Sequence, residues 1–177
     1  MKEHPKIAII GYAGSGKSTL AAFLSERFSV PVLYVDTIHF LPNWVERKRE
    51  DELSVIRSFL DENSENGWVI DGNYTKLEYD RRMAEADLIV FMDFNRINCL
   101  MRAWKRARRF KGKTRPSMTV GCDEKFDHEF RMWMLRDGRK KEVRNRFKAL
   151  VNKYREKTVV IKDQRQLDRF KNSFGSK

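Results

Sequence analysis

The chain has 177 residues, of which 41% are hydrophobic and 35% charged, and its formal net charge is +12. This length and apolar content suffice for one α/β domain with a hydrophobic core and are small for two. No stretch approaches the roughly 20 uninterrupted apolar residues that span a bilayer, and the first strand begins close to Met1, so we expect a cytoplasmic protein without membrane contact.

The first predicted elements are a buried strand and a helix joined by a glycine-rich loop. The apolar run 6–10 predicts the strand, and the run 19–24 is typical of the start of a helix. Between them, residues 11–18 read Gly-Tyr-Ala-Gly-Ser-Gly-Lys-Ser and match the phosphate-binding loop Gly-x-x-x-x-Gly-Lys-Ser. The glycines let backbone amides turn towards phosphate oxygens, and the positive end of the following helix attracts the same anion.

This loop predicts that the chain binds ATP together with Mg²⁺. The residues expected to contact the nucleotide are Gly11, Gly14, Ser15, Gly16, Lys17, Ser18 and Thr19. Lys17 supplies a mobile charge for the phosphates, and the Ser18 hydroxyl is the direct candidate ligand for Mg²⁺. A chance glycine-rich turn is the alternative, which the flanking strand and helix patterns disfavour.

Four further apolar runs alternate with helical patterns along the chain, at residues 32–35, 68–70, 88–92 and 158–161. The alternation predicts an α/β fold in which a five-stranded parallel sheet is flanked by helices on both faces. Together with the loop motif, it indicates the three-layer P-loop NTPase architecture, as a single domain over residues 1–177.

An aspartate follows each of the three middle strands, at Asp36, Asp71 and Asp93. Because ligands bind beyond the carboxyl ends of parallel strands, we expect these acids to gather around the phosphate loop. Asp71 or Asp36 is expected to act on Mg²⁺ through coordinated water, and spacing alone does not choose between them. A turn or helix-cap role is the alternative for each aspartate.

The segment 37–66 between the second and third strands is expected to form a substrate-side helical region. Residues 43–47 are predicted to begin an amphipathic helix whose apolar positions recur at helical spacing up to Leu60. His39 lies near the expected substrate side, with helix capping or packing as its alternative role. Trp44 is a candidate to flank an aromatic or sugar ligand, although tryptophans more often fill a core or an interface.

Positive charge concentrates between the fourth and fifth strands. Residues 96–157 hold 21 of the 37 Lys and Arg residues and 7 of the 25 Asp and Glu residues, so that segment has a net charge of +14 and the remainder −2. We expect a helical lid insert there, interrupted at residues 111–116 and 137–138. A solvated helical face is the alternative for such a charge run.

Three arginines of this insert are candidate catalytic residues. Arg102, Arg106 and Arg109 are spaced by four and three residues, which places them on one face of a helix. Their like charges repel one another, and a polyphosphate would relieve that repulsion. We expect them, with Lys17, to stabilise the transferring phosphoryl group.

These segments together resemble the bacterial DNA topology modulation protein family, a branch of small kinases similar to adenylate and shikimate kinases. The resemblance covers almost the whole chain and rests on residues 11–19, 36–44, 68–74 and 109–125. It implies a five-stranded parallel sheet, a substrate-side region after Asp36 and a lid after the fourth strand. It also implies that Asp71 orients the water shell of Mg²⁺ and that Asp36 is a substrate-side acid.

These features favour an ATP-dependent kinase that transfers the γ-phosphoryl group to a nucleotide or another small molecule. The residues expected near this acceptor are Asp36, His39, Trp44, Asp71, Tyr74 and Arg115. The alternative is a nucleotide-switched DNA-binding protein that uses the basic segment, although no helix-turn-helix, zinc-finger or RNA-binding-sheet pattern is present. An ATPase without an acceptor is a third possibility, weakened because no residue stands out as orienting water. The residues leave the acceptor and the oligomeric state open.

Overall fold

The computed structural model describes residues 2–175, which form one layered arrangement of helices around a sheet. In chain order the elements are β1 Lys6–Gly11, α1 Lys17–Phe28, β2 Val32–Tyr34, α2 Val35–His39, β3 Phe40–Leu41, β4 Val45–Glu46, α3 Arg49–Glu62, β5 Trp68–Asp71, α4 Tyr79–Glu85, β6 Leu88–Met92, α5 Arg96–Arg109, α6 His128–Leu135, α7 Lys141–Lys153, β7 Thr158–Ile161 and α8 Gln164–Asn172. None of these helices is long and apolar enough to cross a membrane.

Five of the strands form the main sheet in the order β2-β5-β1-β6-β7. All four neighbouring pairs are parallel, with Ile9 opposite Asp71 on one side and Val90 on the other. The predicted five-stranded parallel sheet flanked by helices is therefore confirmed.

The centre of the sheet is the core of the molecule. Residues 7–10 of β1 are at most 1% exposed, and Trp68 of β5 and Val90 of β6 are fully buried. Such unbroken apolar runs occur where helices cover both faces of a parallel sheet. From α1, the side chains that pack on this core include Leu20 and Leu24.

The first strand occupies the point from which the chain winds to both sides of the sheet. On one side of it lie β5 and β2, and on the other lie β6 and β7. The chain therefore leaves β1 towards one edge of the sheet and later crosses to the other. A crevice forms at such a point in open parallel sheets. The glycine-rich loop between β1 and α1 lies at this crevice, which fixes the position of the candidate site.

The predicted helix start at residues 43–47 is wrong. Residues Pro42–Trp44 form a 3-10 turn, β4 pairs antiparallel with β3, and α3 begins only at Arg49. Asn43 and Trp44 both have φ of 64°, a left-handed conformation that the interior of an α-helix excludes. The second strand is also one residue shorter than predicted, because Val35 begins α2.

The basic segment 96–157 contains α5, α6 and α7, with an irregular stretch at residues 110–127. This stretch is bonded to the β3–β4 hairpin. The Asn43 amide donates to the Gly121 carbonyl at 3.1 Å, and the Thr119 hydroxyl donates to the Phe40 carbonyl at 2.5 Å. Residues 110–127 therefore lie over the segment that follows β2.

Candidate active site

A cavity of about 1780 Å³ opens at the carboxyl ends of the strands. Its walls include the glycine-rich loop, α2, α3, α5 and the stretch 110–127, with further side chains from α6, α7 and α8. Ordinary ligand pockets measure roughly 300–1,000 Å³, so this one has room for a nucleotide and a second reactant.

The glycine-rich loop takes a conformation that depends on its glycines. Gly14 and Gly16 have φ of 75° and 99°, and a Cβ on Gly14 would overlap the Cys99 carbonyl oxygen. Among residues 2–175 no side chain caps α1, so the amides at its first turn remain available as donors beside the cavity. This arrangement suits an anion such as phosphate.

The loop residues predicted to bind nucleotide divide into two groups. Those that line the cavity are Gly14, Gly16, Lys17, Ser18 and Thr19. Gly11, at the end of β1, and Ser15 are buried and do not line the cavity, with Ser15 0% exposed. The Lys17 amine donates to the Tyr12 carbonyl at 3.2 Å, which folds the side chain back over the loop.

Ser18 and Asp71 meet at the end of β5. The Ser18 hydroxyl donates to Asp71 Oδ2 at 2.6 Å, and Asp71 Oδ1 is buried without a hydrogen-bond partner among residues 2–175. Burial raises the pKa of the Asp71 carboxyl, and the nearby charge of Lys17 opposes that shift. The Ser18 hydroxyl and the free Asp71 oxygen are hard oxygen ligands of the kind that Mg²⁺ prefers. Two such ligands suffice, because Mg²⁺ usually keeps several of its water ligands.

Asn73 holds the start of the loop and was not identified as a site residue from the sequence. Its side chain accepts from the Gly11 amide at 3.0 Å and donates to the Gly11 carbonyl at 2.5 Å. The fully buried Arg82 in turn donates to the Gly72 and Tyr74 carbonyls at 3.2 and 2.7 Å. Asn73 belongs to segment 68–74, one of those on which the family resemblance rests, but its partner lies 62 residues away.

The structure brings the predicted acceptor residues to one wall of the cavity. Asp36 Oδ1 accepts from the Tyr74 hydroxyl at 2.9 Å, and Asp36 Oδ2 accepts from Arg115 at 3.1 Å. Burial, followed by the charge of Asp36, raises the pKa of Tyr74, so its hydroxyl stays protonated and donates. His39 and Trp44 line the same wall, with the His39 ring 4.8 Å from that of Tyr74.

A buried carboxylate, Glu52, contacts His39. Glu52 Oε1 lies 2.6 Å from His39 Nδ1, and the residue is 6% exposed. Sequence reasoning missed Glu52, because it reads as an ordinary charged position of an amphipathic helix. No pattern in the chain pairs it with a histidine 13 residues earlier.

The three arginines of α5 all line the cavity, as their spacing predicts, but each has a different environment. Arg102 donates to the Ser15 carbonyl at 2.7 Å and to Gln164, and its guanidinium lies 4.1 Å from the Phe94 ring centre. Arg109 is exposed near the Phe110 ring. Arg102 thus contacts the loop backbone, and Arg109 is the most open of the three.

Glu124 joins two of the arginines that line the cavity, Arg106 and Arg115. Arg106 donates to Glu124 Oε1 at 2.8 Å, Arg115 Nη1 lies 3.7 Å from Glu124 Oε2, and the Glu124 side chain is 6% exposed. Burial lowers the pKa of Arg106, and the like charge of Arg115 adds to that effect. Because Arg115 also contacts Asp36, Glu124 links α5 to the wall of the cavity that contains Asp36. No sequence pattern indicated this role of Glu124.

One expectation about the cavity is corrected. Asp93 does not line it within residues 2–175, because β6 lies on the opposite side of β1 from β2 and β5. Arg139 of the insert faces the Tyr12 ring at 3.7 Å and donates to the Phe94 carbonyl at 2.7 Å. It therefore supports the loop from outside the cavity.

Comparison with known proteins shows similarity in fold without similarity in sequence. No protein-family model and no curated protein matches the chain. The structure of deoxyadenosine kinase from M. mycoides with bound dATP aligns over 98% of this chain and 100% of its own, with a TM-score of 0.54 and 17% identity.

Two further solved structures have the same fold. Shikimate kinase from Acinetobacter baumannii in complex with shikimate aligns over 94% of this chain and 88% of its own, with a TM-score of 0.54 and 20% identity. A gluconokinase from Sinorhizobium meliloti 1021 aligns over 98% and 93%, with a TM-score of 0.50 and 17% identity. The chain therefore has the fold of P-loop kinases.

Proposed function

We propose that the protein is an ATP-dependent kinase that transfers the γ-phosphoryl group of ATP to a hydroxyl of a nucleotide or another small molecule. The observation that carries the proposal is that one cavity is lined both by the phosphate-binding loop and by a second group of side chains, those of Asp36, His39, Trp44, Tyr74 and Arg115. A nucleotide-binding module without an acceptor would not need the second set of residues. The kinase structures that share the fold support the same class of reaction.

The loop and α5 are suited to hold ATP. Backbone amides of residues 14–19, with Lys17, would bind the β- and γ-phosphates. Arg102, held between the Ser15 carbonyl and Gln164, would line the adjoining part of the nucleotide site. Mg²⁺ held by Ser18 and, through water, by Asp71 would neutralise charge on the phosphate oxygens.

The opposite wall is suited to orient the acceptor. In the proposed step, the acceptor oxygen bonds to the γ-phosphorus, and its proton passes to the Asp36 carboxylate. The bond between that phosphorus and the bridging oxygen breaks, and ADP leaves with the electron pair. Arg106 and Arg115 would stabilise the negative charge that spreads over the transferring group.

The stretch 110–127 would act as the lid that excludes water. It is bonded to the β3–β4 hairpin and carries Arg115 and Glu124 into the cavity. Exclusion of water directs the phosphoryl group to the acceptor and prevents its hydrolysis. This role distinguishes the proposal from a simple ATPase.

The DNA-binding alternative rests on the charge of segment 96–157 alone. Several arginines of that segment are engaged within the protein: Arg96, Arg102, Arg106, Arg115 and Arg139. DNA contact therefore stays a prediction from charge. Membership of the DNA topology modulation family and a cytoplasmic location likewise stay predictions from sequence.

The proposal is tested by following ADP formation from Mg²⁺-ATP with a panel of acceptors. The panel contains adenosine, deoxyadenosine, AMP, dCMP, shikimate and gluconate. We expect ADP formation to depend on one acceptor class and to be lost in a folded Lys17→Ala variant, with exposed Lys48→Ala as the control. ADP formation that no acceptor changes, or that survives in Lys17→Ala, would reject the assignment.

A further inference from the structure

The His39 ring is held in one orientation by its neighbours. Its Nδ1 lies 2.6 Å from Glu52 Oε1, and its ring centre lies 4.5 and 4.8 Å from those of Phe40 and Tyr74. Glu52 is 6% exposed, so this pairing is formed largely away from solvent. A helix-capping role, the alternative for His39, would not require contacts on three sides of its ring.

The contact with Glu52 also determines which ring nitrogen carries the proton. An ionised carboxylate only accepts hydrogen bonds, so Nδ1 must donate, and in the neutral ring Nε2 then has a free lone pair. Glu46 Oε1 lies 3.7 Å from Nε2, beyond hydrogen-bond reach. Neither Glu46 nor Glu52 therefore forms a hydrogen bond with Nε2, and the His39 side chain lines the cavity.

Asp36 and His39 share one face of α2. They are three residues apart in a helix that runs from Val35 to His39, which places their side chains about one turn apart on that face. Asp36 is the residue that would take the proton from the reacting hydroxyl under the proposed function. A molecule bound to Asp36 would therefore reach His39 through a second polar group.

We infer that His39 Nε2 accepts a hydrogen bond from a second hydroxyl of the acceptor, and that Glu52 is the positioning residue that fixes the tautomer. This inference rests on the proposed function and names its acceptor class, a compound with at least two hydroxyl groups. The rings of Phe40 and Trp44, 5.1 Å apart, line the same wall and suit the apolar face of such a compound. Both a nucleoside sugar and a cyclic polyol have this chemistry.

The first test is the protonation state of His39 in the whole protein. The chain has three histidines, so ¹⁵N-histidine spectra are simple, and His39→Asn assigns the signal. We expect the proton on Nδ1, and a shift of the Nε2 signal when adenosine or shikimate is added with ADP. A shift with only one probe identifies the source of the hydroxyls. A proton on Nε2, or no shift with either probe, would overturn the inference.

The second test separates the two ends of the ring. In His39→Asn the amide can still donate to Glu52, but no atom replaces Nε2. We expect the acceptor KM to rise about tenfold, as for a lost hydrogen bond, with the affinity for a fluorescent ATP analogue unchanged. His4→Asn, at an exposed histidine outside the cavity, is the control.

Glu52→Gln completes the set, because it retains the shape of the side chain and removes the charge. We expect a mixture of His39 tautomers and a smaller rise in acceptor KM. If the wild type shows acceptor-dependent ADP formation but His39→Asn keeps the wild-type KM, the inference fails and the proposed kinase function stands. If no acceptor supports ADP formation, the proposed function fails, and the tautomer still decides whether Nε2 can accept.

Discussion

The Ser18 hydroxyl donates a 2.6 Å hydrogen bond to Oδ2 of Asp71, joining the first turn of α1 to the end of β5. The two residues are 53 positions apart and meet because β5 pairs with β1, the strand that leads into α1. The second oxygen of Asp71 is buried and has no partner within residues 2–175. A buried carboxylate with an unused oxygen costs folding free energy, and a functional role for that oxygen explains its presence.

Replacing Asp71 should therefore lower activity and raise stability. Because burial raises its pKa, Asp71 binds its proton more tightly in the folded state, and the resulting stability is lost as pH rises through the folded pKa. At pH 7 we expect Asp71→Asn to melt about 2–4 °C higher, which corresponds to about 1 kcal/mol. Differential scanning calorimetry between pH 4 and 8 should show this gain shrinking towards low pH.

The same variant should need more Mg²⁺ for activity, with turnover at least about tenfold lower, since under the proposed function the Asp71 charge orients the water ligands of Mg²⁺. In the wild type, protonation of Asp71 should reduce activity at a higher pH than an ordinary aspartate would. The exposed Asp80→Asn is the control. An Asp71→Asn enzyme with wild-type Mg²⁺ dependence would exclude a metal role.

Asn73→Ala should weaken ATP binding. It removes both hydrogen bonds to Gly11, at 3.0 and 2.5 Å, which fix the entry to the loop. We expect ATP affinity to fall about tenfold and stability to fall by about 1 kcal/mol, measured by titration of a fluorescent ATP analogue and by thermal melting.

The control for this prediction is Asn63→Ala. Asn63 donates to the Phe59 carbonyl at the end of α3, at 2.8 Å, and is outside the cavity. It should cost similar stability without changing ATP affinity. Equal effects of the two substitutions on ATP affinity would show that Asn73 has no specific role at the loop.

Glu124→Gln should reduce turnover more than it reduces nucleotide binding. The change leaves two partly buried guanidinium groups, of Arg106 and Arg115, without the charge between them. We expect kcat to fall about tenfold or more and stability to fall by about 2 kcal/mol. Added salt should restore part of the lost activity by screening the repulsion, whereas exposed Glu156→Gln should behave as wild type. A wild-type kcat in Glu124→Gln would show that Glu124 does not support turnover.

Arg106 and Arg108 distinguish phosphoryl transfer from DNA binding. Both belong to α5, but Arg106 lines the cavity, whereas Arg108 is exposed and stacks on Trp104 at 4.8 Å. Under the kinase proposal Arg106→Ala should lower kcat about 100-fold, with Arg108→Ala within twofold of wild type. A DNA-binding function predicts instead that Arg108→Ala, which removes the exposed charge, lowers DNA affinity more than Arg106→Ala does. Measurement of DNA affinity across salt concentrations tests this alternative.

The sequence was sufficient for the sheet and the phosphate loop because both depend on local patterns. Apolar runs mark strands buried on both faces, and the spacing of Gly11, Gly16 and Lys17 is itself the binding motif. The helix predicted to begin at Asn43 failed for a local reason too. Two consecutive left-handed residues make a hairpin there, and neither residue is a glycine that would have signalled it.

The supporting acids could not be predicted, because their partners depend on how distant segments meet. Glu52 and Glu124 are single charged residues in segments rich in charge, and each becomes distinctive only through a partner 13 or 18 residues away. Asp93 failed for the same reason. It follows a strand as Asp36 and Asp71 do, and only the strand order places it away from the cavity.

The most direct test of the account follows the γ-phosphoryl group itself. ATP labelled in that group is incubated with the protein, Mg²⁺ and each acceptor, and mass spectrometry measures the label on the acceptor and as free phosphate. The account predicts one labelled phosphoryl group on the acceptor for each ADP formed, and none with Lys17→Ala. Label released only as free phosphate whatever the acceptor, or bound ATP that yields no ADP, would contradict it.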